Sequence, residues 1–507
     1  MKNSLKTALF FVSFSLLVAC EDFVELEPKG PTTENYFTTQ EEYEKALIGA
    51  YDMLQSSFWN VLTSVIASDD FIAGGDAANT DQITLQRIDK MDHTPSDNNQ
   101  LRDIWSFMYA GMNRANYILE FKDKTDFAGK DELIAEAYFL RAYYAFELVK
   151  FYGNVPFKTE ERDGIKRIAN ERVEFGDQFT MNRTTDIEEA YSLIEEDLKE
   201  AIASLPVTQA HKYEITKGAA QALLGKVYLY QAKFDTTKFK AAADEFENVI
   251  KSNEYQLLQG TSFLNMFDAE QENSVESIFE IQYTNVEGAG WDCIHCSEGN
   301  YFPKFNAPRS NDSEKFSHPK YISGWGFSLP TQNLFDAFES GDRRKDLTIL
   351  DLTSKTYELS REDTGYFSKK YLPTKTDEQE RAGSDPLNFQ NNYRSIRYAD
   401  VLLMAAEANV RKASPDVPKA QGYLDQVRDR AFGNTINRVP ATLDNIINER
   451  RLELAGEGHR FFDLVRTGQA PSKITGFTAN KNEIFPIPSV ELGLANATQR
   501  WGQNPGY

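Results

Sequence analysis

The chain has 507 residues, of which 41% are hydrophobic and 13% aromatic, enough to build a large core. Nothing in this composition suggests global disorder. The formal net charge of −22 repels phosphate backbones, so it excludes nucleic acid as a natural partner and argues against a polybasic membrane-binding face.

Residues 1–19 read as a targeting segment. Lys2 and Lys6 supply the positive start. The uncharged stretch from Ala8 to Ala19 is too short to span a bilayer comfortably and reads as a signal peptide. Leu17-Val18-Ala19-Cys20 has the form of a bacterial lipobox. Cleavage before Cys20 would free a thiol and an amine for acylation, and each buried methylene of the attached chains adds about 0.8 kcal/mol of membrane affinity. The alternative is an ordinary secreted chain in which Cys20 is incidental. No other segment is apolar enough to cross a membrane. Residues 20–38 are polar, contain two prolines and show no helical period, which predicts an extended tether.

The body, 39–507, is read as one domain. Thr39 or Thr38 offers a cap before QEEYEKALIGAYDML, where Tyr43, Ala46, Leu47, Ala50, Tyr51 and Leu54 form one apolar stripe. Helical periodicity recurs at 101–119, 131–153, 185–205, 216–234 and 237–253, and again at 393–413, 419–431 and 442–458. This predicts a mainly α fold with helical parts at 39–253 and 391–507. Leu224-Gly225-x-x-Tyr228 followed by Ala242 and Phe246 resembles a tetratricopeptide helix pair. Tyr398, Ala406 and Ala408 followed by Ala420, Tyr423 and Val427 give a weaker second copy. Small residues in such pairs let the backbones approach, and aromatics fill the groove between pairs.

Two stretches break the pattern. Residues 68–100 lie between helices, and 254–390 are rich in Gly, Pro, Asn, Asp and Ser, with short strand-like runs such as 277–284. Long loops on a rigid scaffold usually carry function, so these two insertions are expected to form the working surface.

Catalytic signatures are missing from the sequence. There is no G-x-S-x-G, H-E-x-x-H or G-x-x-x-x-G-K-[ST], so no catalytic residue is proposed. GGDAANTD (74–81) has oxygen ligands at the wrong spacing for an EF-hand; a solvated turn is the first reading, calcium the second. No metal or cofactor is expected. The charged block NERRLELAGEGHRFFDLVR (448–466) is read as paired, partly buried charges that fix helix packing.

A sugar presents an apolar C–H face and a rim of hydroxyls, which flat aromatic rings and polar side chains recognise. The informative aromatics are therefore those in loops: Trp291, Tyr301 and Trp325 in the long insertion, and Phe71 in the first, near Asp76 and Asn79. The stretch GAGWDCIHCSEGNYF (288–302) also holds Cys293, His295 and Cys296. Outside the cytoplasm a C-x-x-C pair tends to be oxidised, and a closed zinc site wants more ligands than Cys-x-His-Cys offers. The expectation is a local Cys293–Cys296 disulfide, or failing that two idle thiols, with His295 beside the ligand.

Several blocks carry a resemblance to a known family. They are the lipid cysteine and tether, RAYYAFELVKFYGNVP (141–156), GWGFSLPTQNLFDAFESGDRRKD (324–346), NYRSIRYADVLLMAAEA (392–408), INERRLELAGEGHRFFDLVRTG (447–468) and the ending FPIPSVELGLANATQRWGQNPGY (485–507). In their order and spacing the chain resembles the SusD/RagB family of Bacteroidetes outer-membrane lipoproteins. The resemblance implies a SusD-like fold of tetratricopeptide-like pairs with loops on one side. It implies a non-catalytic, surface-exposed protein that captures a nutrient, usually an oligosaccharide and in some members a peptide. It also implies a SusC-like TonB-dependent transporter as partner.

Overall fold

Thr39 starts the first helix by a reciprocal cap. Its hydroxyl accepts from the Glu42 backbone, and the Glu42 carboxylate accepts from the Thr39 N–H at 3.0 Å. Helix α1 (Gln40–Asp52) then buries Tyr43, Leu47 and Ala50, the predicted stripe. The computed structural model describes residues 36–507 apart from 79, 97–98, 289, 292–297, 311–315 and 384–386.

Helix α2 (Phe58–Ile66) is buried along its whole length. The long helices α3 (Asn99–Glu120), α4 (Lys130–Tyr152), α5 (Ile187–Ser204), α6 (Lys217–Gln231) and α7 (Lys238–Ser252) follow, each packing on the next in sequence. A second run comprises α8 (Tyr398–Arg411), α9 (Val417–Phe432), α10 (Leu443–Glu453) and α11 (Arg460–Arg466). Helix α8 packs on both α7 and α9, which joins the two runs. The small residues foreseen between paired helices are present. A Cβ on Gly225 of α6 would stand 2.5 Å from the ring of Phe246 on α7, so that pair closes only over glycine. Gly111 of α3 meets the ring of Tyr144 on α4 at the same distance.

The strands are short and pair in twos: β1 (Phe71–Ile72) with β5 (Leu329–Pro330), β2 (Thr159–Arg162) with β3 (Ile165–Ile168), β4 (Ser277–Ile281) with β8 (Tyr393–Arg397), and β6 (Ile349–Asp351) with β7 (Tyr366–Ser368), all antiparallel. The periodicity reading ran one helix through 393–413. In the structure its first five residues form β8 instead. All five are buried, and they complete the hydrogen bonding of β4, so a tertiary partner overrides local period. The first insertion is also less irregular than its composition suggests, since it holds β1 and the helix Ile83–Asp89.

The charged block at 448–466 does what its bland reading predicts. Arg450 binds Asp400 at 2.6 Å and Asp463 at 2.9 Å. Glu453 binds Arg430 at 2.7 Å and Arg397 at 3.0 Å, and Glu449 joins Arg344 and Arg428 at 2.6 Å each. These groups are buried, and each ion is compensated by several others, the condition under which buried charge is tolerated. Arg451 and Arg460 reach across to Asp70 and Asp69, which fastens the first insertion to the C-terminal helices.

Candidate functional site

The two insertions meet at one surface. Trp291 is 51% exposed, and Trp325 is half-buried beside it. Their ring centroids stand 5.9 Å apart with the planes tilted at 46°, so together they form an open, angled pair of indole faces.

This pair is carried on an aromatic column that begins in the scaffold. Phe305 meets Trp325 edge-on at 4.8 Å. Trp59 of α2 supports Phe305 at 5.6 Å, and Tyr301 lies between Phe305 and Phe58. A rigid buried helix thereby sets the position of a loop tryptophan. The backbone is laced as well. The N–H groups of Trp325, Gly326 and Phe327 donate to the carbonyls of Lys304, Ala307 and Phe305 at 2.7, 2.9 and 2.8 Å. The N–H of Gly75 donates to the Gly326 carbonyl at 2.8 Å. A Cβ on Gly74 would stand 2.1 Å from that same oxygen, so the first insertion reaches the platform only as glycine.

Arg309 completes the frame. Its guanidinium donates to Asp76 at 3.1 Å, to Asp81 at 3.0 Å and to the carbonyl of Trp325 at 3.2 Å. Lys304 lies behind the platform and donates to the Ser323 carbonyl at 2.6 Å; burial brings its ammonium down to about 8. The loop bearing Trp291 is closed at its base, where the N–H of Thr284 donates to the Glu298 carbonyl at 2.8 Å and the Gln55 amide donates to the Glu298 carboxylate at 3.0 Å.

The expected site residues divide accordingly. Trp291 and Trp325 come together at the surface. Asp76 stands at the same place, but its carboxylate is engaged by Arg309 and by the N–H of Ala78, so it holds the frame rather than offering a free acceptor. Tyr301 corrects the sequence reading: it is 3% exposed, because it caps the short helix Phe302–Asn306, which turns its ring against Phe58 and Trp59. Phe71, at 2% exposure, is likewise a core ring, drawn in by the pairing of β1 with β5. Neither joins the exposed tryptophan pair; Tyr301 lines a cavity with Phe58, Ser106 and Arg114 that contains neither tryptophan. Asn79, Cys293, His295 and Cys296 lie outside the described residues, as do Cys20 and the signal segment.

Arg309 and Phe305 were missed. Phe305 carried a signal, since it follows Tyr301 by four residues in the apolar run YFPKF. Arg309 carried none, because its carboxylate partners lie more than two hundred positions away.

Comparison with known proteins identifies relatives of the whole chain. A family profile described as "SusD family" matches residues 344–507, and one described as "Starch-binding associating with outer membrane" matches residues 22–229. The chain is 26% identical to SusD-like protein P2 of Formosa agariphila over 98% of this chain and 99% of that relative. Among solved structures, a laminarin-binding SusD-like protein is 34% identical, with a TM-score of 0.80 over 93% of this chain and all of its own. Surface glycan-binding protein A of Bacteroides thetaiotaomicron, solved with laminarihexaose, is 26% identical, with a TM-score of 0.79 over 92% of this chain and all of its own. On these matches the chain belongs to the SusD family, and the glycan-binding neighbours named above are its structural counterparts.

Proposed function

We propose that this protein captures a laminarin-type glucan at the cell surface on the Trp291–Trp325 platform and delivers it to a SusC-like TonB-dependent transporter, anchored through an acylated Cys20. The observation that carries the reading is the angled, open pair of indoles on a frame fixed by Arg309, Asp76 and Asp81. Indole faces cover the C–H faces of successive sugar rings, and the tilt suits a glycan that curves between them. One structural neighbour named as laminarin-binding, and another solved with laminarihexaose, support the choice of ligand.

Calorimetric titration of the mature protein with laminarin and laminarihexaose, against maltohexaose, cellohexaose and a mixed peptide library, tests it. Binding is expected for the first two. Binding of peptides with no glycan response would replace the sugar reading with peptide capture. Retention of the mature chain in the membrane fraction, lost in Cys20→Ser, tests the anchor. Co-purification of a TonB-dependent transporter from native membranes tests the partner.

A further inference from the structure

A second cavity, of about 350 Å³, lies in the helical scaffold and shares no lining residue with the tryptophan platform. It opens where the C-terminal ends of α4 and α6 meet the start of α5, helix α11 and the segment 480–484. Its size falls in the range of small-molecule sites, and its walls include Phe462, Val149 and Ile484.

Two tyrosines of this lining stand out. Tyr191 on α5 is 4% exposed and Tyr230 on α6 is 9% exposed. Neither hydroxyl has a hydrogen-bond partner among the described residues. A buried phenol normally finds a partner. Both side chains line the cavity. Burial raises both phenols above the ordinary tyrosine range, so they are donors at neutral pH.

The charges here run against the sign of the whole molecule. Lys150, Lys233, Lys481 and Arg466 line the cavity, with Glu483 as the lining carboxylate. Lys150 is paired with Glu147 at 2.5 Å and also sits over the Phe462 ring, while Arg466 is engaged by Glu407 and Asp463. Lys233 and Lys481 have no carboxylate partner among the described residues; each lies over an aromatic ring, Phe234 and Tyr507 respectively. Lys150 and Lys233 lie at helix C-terminal ends, where they offset exposed carbonyls. Lys481 and the two phenols have no such task. Two unpaired ammoniums against one carboxylate leave a surplus of one positive charge.

We propose that this cavity binds a small organic monoanion, a carboxylate on an apolar body. Tyr191 and Tyr230 would donate to the carboxylate oxygens, Lys233 and Lys481 would balance its charge, and Phe462 and its apolar neighbours would cover the body. A dianionic phosphate would exceed the charge surplus and leave the apolar walls unfilled.

The test is ligand-observed NMR and calorimetry on the full mature chain with 4-phenylbutyrate, its neutral amide and inorganic phosphate. The carboxylate is expected to bind at least tenfold tighter than the amide and tighter than phosphate. Tyr191→Phe/Tyr230→Phe should weaken it at least tenfold. Lys233→Ala/Lys481→Ala should weaken it as much and flatten its salt dependence. The lysine pair is at the surface, so that variant keeps the test decisive if the tyrosine pair fails to fold. Laminarin titration should be unchanged in both. Equal binding of acid and amide, phosphate binding as tightly as the carboxylate, or unaltered affinity in the folded variants would each overturn the proposal.

Discussion

Arg309 donates to the backbone carbonyl of Trp325 at 3.2 Å while the same guanidinium holds Asp76 and Asp81. One cation therefore ties a glycine-rich loop near the start of the chain to the platform in its second half. Arg309→Met removes that tie and leaves two carboxylates facing each other. The expected result is a loss of about 1.5–3 kcal/mol of stability, as for a lost charged hydrogen bond, together with weaker glycan binding as the Trp325 carbonyl loses its anchor. An unchanged binding isotherm would show that the frame does not serve the platform.

Trp291→Ala should remove one face of the angled pair and cost about 2 kcal/mol of binding, roughly thirtyfold, as loss of a central aromatic contact does. Trp291 is half exposed and stabilises little, so thermal unfolding should be unaffected. Trp325→Ala should lose both binding and some stability, since that indole also packs on Phe305.

Tyr301 gives the opposite outcome. Its hydroxyl is buried and unpartnered, so Tyr301→Phe should be neutral or slightly stabilising and should leave glycan affinity untouched. Tyr301→Ala should cost about 3–5 kcal/mol through loss of a packed ring. Denaturant titration of the pair separates the core role from a ligand role.

Gly225→Ala should destabilise by about 1–3 kcal/mol, because the added methyl overpacks against Phe246. Phe246→Leu in the same chain should recover part of the loss, and the double-mutant cycle measures the coupling.

Glu136 and Glu453 set opposite pH trends. Burial, its main cause, raises the Glu136 carboxyl to about 7 despite the Tyr51 hydroxyl bound to it. Its folded pKa lies above the unfolded value, so stability falls as pH rises from about 4.5 to 7. Glu136→Gln should flatten that slope and raise the melting temperature at pH 8. Glu453 is buried too, but its surrounding arginines outweigh that burial and hold it at about 2. Its contribution is complete above about 4.5 and fades as pH falls toward 2. Thermal melts across pH 3–8 should show both limbs.

The scaffold was readable in the sequence because helices announce themselves locally. The stripe on α1, the Gly225–Phe246 pair and the charge block from Glu449 to Asp463 are all spaced within a few turns of chain. The strand β8 was not readable, because the residues that make it a strand belong to β4, far upstream. The site was half readable. Trp291 was singled out by its polar, glycine-rich surroundings and Trp325 only as a loop aromatic, but the first criterion misplaced Tyr301, whose neighbours in space are α2 residues rather than its neighbours in sequence. Arg309 lay beyond any local rule, since its meaning depends on Asp76 and Asp81 arriving from another part of the chain.

The hydrogen bond from Thr284 to Glu298 fixes the distance between the two ends of the loop that carries Trp291. Beyond that base, the described part of the loop is held by the Ala382 N–H, which donates to the Asn285 carbonyl at 2.7 Å, and by the Trp291–Trp325 ring contact. Doubling a loop above a closed base costs only about 0.6 kcal/mol of chain entropy. A change of loop length between these fixed points therefore costs the fold little, so the proposed Trp291 platform can vary in reach while its base and its partner Trp325 stay where they are.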